Sequence, residues 1–206
     1  MTTAAVFSPF LERHAVKKYD PNAKMSRDEI KKLLEIAQQA PSAWNLQPWT
    51  FLVIDEPEAK QKLLPIAFGQ QQVVDASMTV AVLGDLEAQR NAESVYQPAV
   101  ASGMMTAEVK DRLVGQIESA YANPQTARDQ AFLNAALPAM QLMLAAKSMG
   151  YDSCPMGGFD ATKLSEAFRI PDRYIPIMLI AVGKATHPAY PSTRFEVDAV
   201  TKWNTF

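Results

Sequence analysis

The chain has 206 residues, 48% of them hydrophobic, with a formal charge of −2 and a pI near 5.7. That composition supplies a full core for one large domain and argues against disorder, while the missing basic excess argues against nucleic-acid or anionic-membrane binding. The single cysteine, Cys154, excludes an intrachain disulfide and a thiolate metal cluster. The most apolar window, Tyr174 to Val182, is too short to span a bilayer. The N-terminus, Met-Thr-Thr-Ala-Ala-Val-Phe-Ser-Pro-Phe, has neither a basic start nor a long apolar core. No secretory signal is expected there, and a cytoplasmic location fits best.

Ala5 to Glu12 has the pattern of a short amphipathic helix, and Arg13 to Asp20 reads as an irregular basic segment closed by Pro21. Ser26 and Glu29 form a capping-box signature, and Ile30, Leu33, Leu34, Ala37 and Ala40 follow at helical spacing. A helix from Arg27 to Ala40 is therefore expected, stopped by Pro41. Trp49 to Ile54 and Thr79 to Leu83 read as buried strands, with Pro57 opening a helix between them.

Leu86 to Tyr121 is polar, helical in composition and without a strand signal, so it is expected to be a helical excursion from the core. Asn123 and Pro124 cap a long helix toward Met149, with Phe132, Leu133, Ala136, Met140, Met143 and Leu144 among its apolar positions and Pro138 as a possible bend. Gly150 ends it. A short strand over Asp152 to Pro155, a glycine turn, a helix capped by Asp160 and a strand over Tyr174 to Gly183 complete the core. The tail from His187 to Phe206 carries Phe195, Trp203 and Phe206 without core periodicity, which suits packing on a partner subunit. Few strands separated by long helical stretches favour an α+β sandwich over a regular βαβ repeat.

The chain carries no G-x-G-x-x-G, no Walker lysine loop, no H-E-x-x-H and no G-x-S-x-G, and its only histidines are His14 and His187. No metal site and no catalytic side chain is assigned. An enzyme so short of acids, bases and nucleophiles leaves the hard step to a cofactor.

Four stretches stand out: Arg13-His-Ala-Val-Lys-Lys-Tyr19, Pro41-Ser-Ala-Trp-Asn-Leu-Gln-Pro-Trp49, Cys154-Pro-Met-Gly-Gly-Phe-Asp160 and Pro191-Ser-Thr-Arg194. In order and spacing they resemble the nitroreductase family of FMN-dependent oxidoreductases over nearly the whole chain. The resemblance implies a mainly antiparallel sheet flanked by helices, in one domain over residues 1–206, and a homodimer with a swapped C-terminal tail. It also implies non-covalent FMN at the subunit interface, NAD(P)H as reductant, and ping-pong reduction of nitroaromatics, quinones or related acceptors. The alternatives are a non-redox flavin carrier or another flavin reaction on the same fold.

Each stretch also has a physical reading. Arg13, Lys17 and Arg194 are the cations suited to a phosphate, with Lys18 left as solvated surface. His14 serves either the phosphate and ribityl region or the fold, and Ala15 stands where the family usually has Ser, one hydrogen bond fewer. Pro41, Ser42, Ala43 and Asn45 form a loop that the family places over the flavin of the second subunit. The opposing reading has Ser42, Asn45 and Gln47 satisfying the loop's own backbone. Gln70 and Gln72 offer amides toward the ring or ribityl chain. Pro155, Met156, Gly157 and Gly158 offer a rigid apolar contact and a close main-chain approach, with the Gly157 N–H aimed at flavin N5. Cys154 reads as a small buried residue and Trp49 as a core ring. The excursion is the candidate substrate lid, with Phe68, Tyr96 and Tyr121 as candidate wall residues. Gly157 and Ser192 replace a Glu and a Lys found in some members, so those members' substrate habits do not transfer.

Overall fold

A computed structural model describes the backbone from Thr3 to Phe206 and side chains from Phe7 onward. Met1 and Thr2 of the N-terminal reading lie outside the described residues. The elements are α1 (Thr3–Glu12), α2 (Arg27–Ala37), β1 (Trp49–Ile54), α3 (Pro57–Ile66), α4 (Gln72–Asp75), β2 (Met78–Asp85), α5 (Ala92–Ala101), α6 (Ala107–Tyr121), α7 (Pro124–Ser148), β3 (Asp152–Met156), α8 (Ala161–Phe168), β4 (Tyr174–Gly183) and α9 (Val197–Val200).

The strands form one sheet in the order β1-β2-β4-β3, and every ladder among the described residues is antiparallel. β2 is central and buried at all eight positions. Its side chains alternate between two cores. Val80 and Val82 face α2 and α7 with Ile180 and Val182, while Ala81 and Leu83 face α3, α4 and α8 with Cys154 and Leu179. The result is a helix–sheet–helix sandwich.

Local chemistry sets the element ends. Ser26 Oγ accepts from the Glu29 amide at 3.2 Å, and Glu29 Oε2 accepts from the Ser26 amide at 2.8 Å, so the capping box is complete. α2 stops at Ala37 rather than Ala40. Its last carbonyls are taken by turn amides, and the Ile36 carbonyl also accepts from Gln141 on α7 at 2.6 Å. Pro57 opens α3, and the Asn123 side chain caps α7.

α7 lies across the sheet with a face of small residues inward. Phe132, Leu133 and Met140 are exposed, as is Leu137, while Ala131, Ala135, Ala139, Leu142 and Ala146 are buried with Met143. Apolar residues surround this helix, so periodicity does not choose the inner face; closeness to the sheet does. A Cβ added at Gly84 on β2 would sit 2.9 Å from the Ala131 Cβ. Only small residues fit at that approach.

The excursion between β2 and α7 carries its own core of Ala88, Ala92, Tyr96, Ile117, Tyr121 and Ala127, closed by Leu46 from the loop before β1. Tyr96 and Tyr121 are 9% and 8% exposed, so they are core residues of this unit rather than cleft walls, whereas Phe68 is 68% exposed. Beyond β4 the tail is open, with Tyr190, Phe195, Trp203 and Phe206 all exposed.

Candidate functional site

The first, third and glutamine stretches converge at the β3 edge of the sheet. Ala15 forms a parallel bridge with Ser153, and the Val16 amide donates to the Ser153 carbonyl at 3.1 Å. This lays Arg13–Lys17 alongside β3. From the other side, Gln70 Nε2 donates to the Gly158 carbonyl at 2.7 Å, and Gln72 Nε2 reaches Met156 Sδ at 3.4 Å and Gln70 Oε1 at 3.2 Å. Arg13, His14, Ala15, Lys17, Gln70, Gln72, Pro155, Met156, Gly157 and Gly158 thus belong to one neighbourhood.

This neighbourhood leaves polar atoms without partners. Arg13 Nε, His14 Nδ1 and Ser153 Oγ are buried with no hydrogen bond within the chain. Each such group costs roughly 1–3 kcal/mol unless something satisfies it. Ser153 was not singled out from the sequence; its signal was its place one residue before Cys154 on a strand that begins the third motif. A Cβ at Gly157 would meet nothing within 4 Å, so the main chain there borders open space. Neither Gly157 nor Gly158 has a positive φ, so both serve access rather than a special turn. Burial pushes the Cys154 thiol up, against a smaller downward pull from the Lys17 charge and the Gln72 amide. It is a buried thiol, not an activated one.

The second motif is built differently. Trp44, Asn45 and Gln47 sit at φ of 53°, 55° and 50°. Asn tolerates the left-handed region, but Trp and Gln do so at about 1–2 kcal/mol each. Hydrogen bonds lock this shape. Ser42 Oγ accepts from the Gln47 amide at 2.9 Å, and Gln47 Nε2 donates to the Asn45 carbonyl at 3.1 Å. The local-backbone reading of Ser42 and Gln47 is therefore realised. The Ala43 amide donates to Asn134 Oδ1 on α7 at 2.7 Å, and the Trp44 carbonyl accepts from the Tyr96 hydroxyl at 2.9 Å. The Leu46 carbonyl accepts from Asn91 Nδ2, also at 2.9 Å. Trp49 is only half-buried; it lines a polar cleft with Asn45, Gln47, Asn91 and Ser94. Pro41 borders a separate apolar groove with Phe10, Leu137 and Met140.

Among the described residues, no hydrogen bond joins the Ser42–Gln47 loop to Arg13–Lys17, Gln70–Gln72 or Met156–Gly158. Arg194 also stands apart, its guanidinium exposed and donating to the neighbouring Thr193 carbonyl at 2.7 Å.

The model of the Nitroreductase family matches residues 11–184. The Bacillus subtilis (strain 168) protein named "Putative NAD(P)H nitroreductase YodC" is 50% identical over 191 residues, covering 93% of this chain and 95% of that one. The CLA biosynthesis enone reductase of Lactiplantibacillus plantarum is 36% identical, covering 92% and 89%. A crystal structure from Exiguobacterium sibiricum 255-15, described as "a putative nitroreductase in complex with FMN", superposes with a TM-score of 0.89 at 40% identity, covering 96% of each chain. No helix among the described residues is long and apolar enough to cross a membrane. With the antiparallel sheet and matches spanning nearly its full length, the chain belongs to the nitroreductase family.

Proposed function

We propose that this protein is an FMN-dependent oxidoreductase that uses NAD(P)H to reduce nitroaromatics, quinones or related conjugated acceptors. The observation that carries this reading is the trio of unpartnered polar atoms on Arg13, His14 and Ser153 at the β3 edge, with open space at Gly157 farther along that edge. A bound flavin mononucleotide would satisfy the first and occupy the second. Arg13 and Lys17 would hold the phosphate, with Arg194 and His14 adding donors. Gln70 and Gln72 would meet the ribityl chain or ring edge with the donor and acceptor positions their present bonds leave free. Pro155 and Met156 would border the ring, and the Gly157 N–H would address its N5 edge. Bound FMN would supply two-electron transfer from NAD(P)H to the acceptor in a ping-pong cycle. No acid–base pair is asked of the side chains.

Pro41, Ser42, Ala43 and Asn45 complete the site from a second copy of the chain. Within its own chain the loop is bonded to α7 through Ala43 and to the excursion through Trp44 and Leu46, and a homodimer would bring it onto the partner's β3 edge. The exposed Phe132, Leu133, Leu137 and Met140 of α7 and the aromatic tail offer the apolar surface for it. The chain then works as one domain, with Leu86–Tyr121 as the lid over the acceptor. The enone reductase among the relatives supports including conjugated carbonyl compounds among the acceptors.

A titration of apoprotein with FMN and with riboflavin tests the assignment. FMN is expected to bind at least about tenfold tighter, because riboflavin lacks the phosphate that the arginines would hold. Equal affinities would remove the phosphate role of Arg13 and Arg194.

A further inference from the structure

Three buried or half-buried side chains from outside the four motifs grip the Ser42–Gln47 loop. Asn134 lies on α7 and is 2% exposed. Its Oδ1 accepts from the Ala43 amide at 2.7 Å while its Nδ2 donates to the Gln130 carbonyl at 2.7 Å and to Gln130 Oε1 at 2.9 Å. Asn91 stands just before α5. Its Nδ2 donates to the Leu46 carbonyl, and its Oδ1 accepts from Arg173 at 3.2 Å. Arg173 in turn makes a two-point pair with Asp85 at the end of β2, at 2.8 and 2.6 Å. Tyr96 on α5 donates its hydroxyl to the Trp44 carbonyl at 2.9 Å.

These contacts fall on and beside the strained residues. Trp44, Asn45 and Gln47 hold left-handed φ values, and the bonds flank them at Ala43, Trp44 and Leu46. Strain of that kind persists only where the surroundings over-determine the shape. Two of the three grips come from the excursion, whose packed core includes Leu46 of the loop itself. The excursion and the loop are therefore one mechanical unit, anchored to the sheet by Asp85 and Arg173.

We propose that Asn91, Tyr96 and Asn134 are positioning residues. They hold the loop in its strained shape before any ligand arrives and tie its order to that of the excursion, so that a lid movement and a change in the cofactor loop are a single event. The link to cofactor affinity rests on the reading of this loop as an FMN contact; the grip on the backbone does not.

The test compares two tyrosines of the same small core. Tyr96→Phe deletes the hydroxyl that holds the Trp44 carbonyl. Tyr121→Phe deletes a hydroxyl that makes no hydrogen bond among the described residues, in the same cluster. Asn91→Asp keeps the acceptor for Arg173 and sets a carboxylate oxygen against the Leu46 carbonyl. Amide hydrogen exchange is read over residues 43–49 in dimeric apoprotein, and FMN affinity is read by titration. Tyr96→Phe and Asn91→Asp are expected to speed exchange in that window and to weaken FMN binding about fivefold, the size of one neutral hydrogen bond, with Tyr121→Phe unchanged in both. Unchanged exchange in Tyr96→Phe, or equal acceleration in Tyr121→Phe, overturns the grip whatever FMN does. Faster exchange with unaltered FMN affinity overturns the tie to the cofactor. Wild-type protein that binds no FMN removes the functional reading and that tie together, and leaves the exchange data to judge the grip.

Discussion

The two regions read as halves of one site are built on opposite plans. The Ser42–Gln47 loop is saturated: its strained backbone is met by side chains from its own chain, from Ser42 to Asn134. The Arg13–Lys17 arm is joined to β3 by main-chain contacts but leaves Arg13 Nε, His14 Nδ1 and Ser153 Oγ unsatisfied. One region meets the cost of its shape within the chain; the other leaves polar capacity unmet, which the proposed FMN would take up. The difference separates positioning from binding, and substitutions should separate along the same line.

The largest expected effect is on the saturated side. Asp85→Ala leaves the guanidinium of Arg173 without its two-point partner beneath the excursion, where Asp85 has only 4% of its side chain exposed. Losing one member of such a pair should lower unfolding free energy by about 3 kcal/mol in urea denaturation. A loss below about 1 kcal/mol would mean that the pair does not anchor the unit. Asn134→Leu comes next, at about 2 kcal/mol, because it strips the Ala43 amide of its acceptor inside the packed layer. Its apoprotein should also show the loop exchanging freely.

The unmet side should respond in reverse. Arg13→Ala is expected to leave apoprotein stability within about 0.5 kcal/mol while weakening FMN binding at least about tenfold. Arg194→Ala should weaken FMN more than Lys18→Ala, and equal effects in the titration would withdraw Arg194 from the phosphate. If Arg13→Ala unfolds the apoprotein as readily as Asp85→Ala, the contrast between the regions is gone.

The smallest effect is a pH dependence of stability. Tyr121 in the excursion is pushed up to about 12, first by burial and then by Asp85. Tyr151 is also pushed up to about 12, by burial and then by its hydrogen bond to Glu29. A folded-state pKa above the unfolded one means the stabilisation is complete below about pH 10 and is lost as pH rises toward 12. Each tyrosine should cost on the order of 1 kcal/mol by pH 11. Denaturation at pH 9, 10 and 11, alongside phenolate absorbance, reads this directly. Full phenolate formation of both groups near pH 10 in folded protein would contradict it.

Much of the fold was legible because its signals are local. The Ser26–Glu29 capping box, Pro57 at a helix start, Asn123 before Pro124 and the apolar run of β4 all act over a few residues, and the structure realises each. The inner face of α7 was not legible, since Leu133 and Ala131 differ by their distance to Gly84, which no periodicity records. The same limit hid buried polar groups. Asn134 and Lys60 sit where a pattern reader expects solvent, yet Lys60 Nζ donates to the Ala76 carbonyl at 2.8 Å and Asn134 is fully bonded. The site motifs were visible as chemistry, but the side chains that shape the second motif come from 91, 96 and 134, with no mark in the motif itself.

The visible spectrum of the purified protein, taken before and after anaerobic addition of NADPH, tests the central claim most directly. Flavin absorbance is expected, bleached by NADPH and restored when a quinone is added. Colourless protein that takes up no added FMN, or a flavin spectrum untouched by both NADPH and NADH, would contradict it.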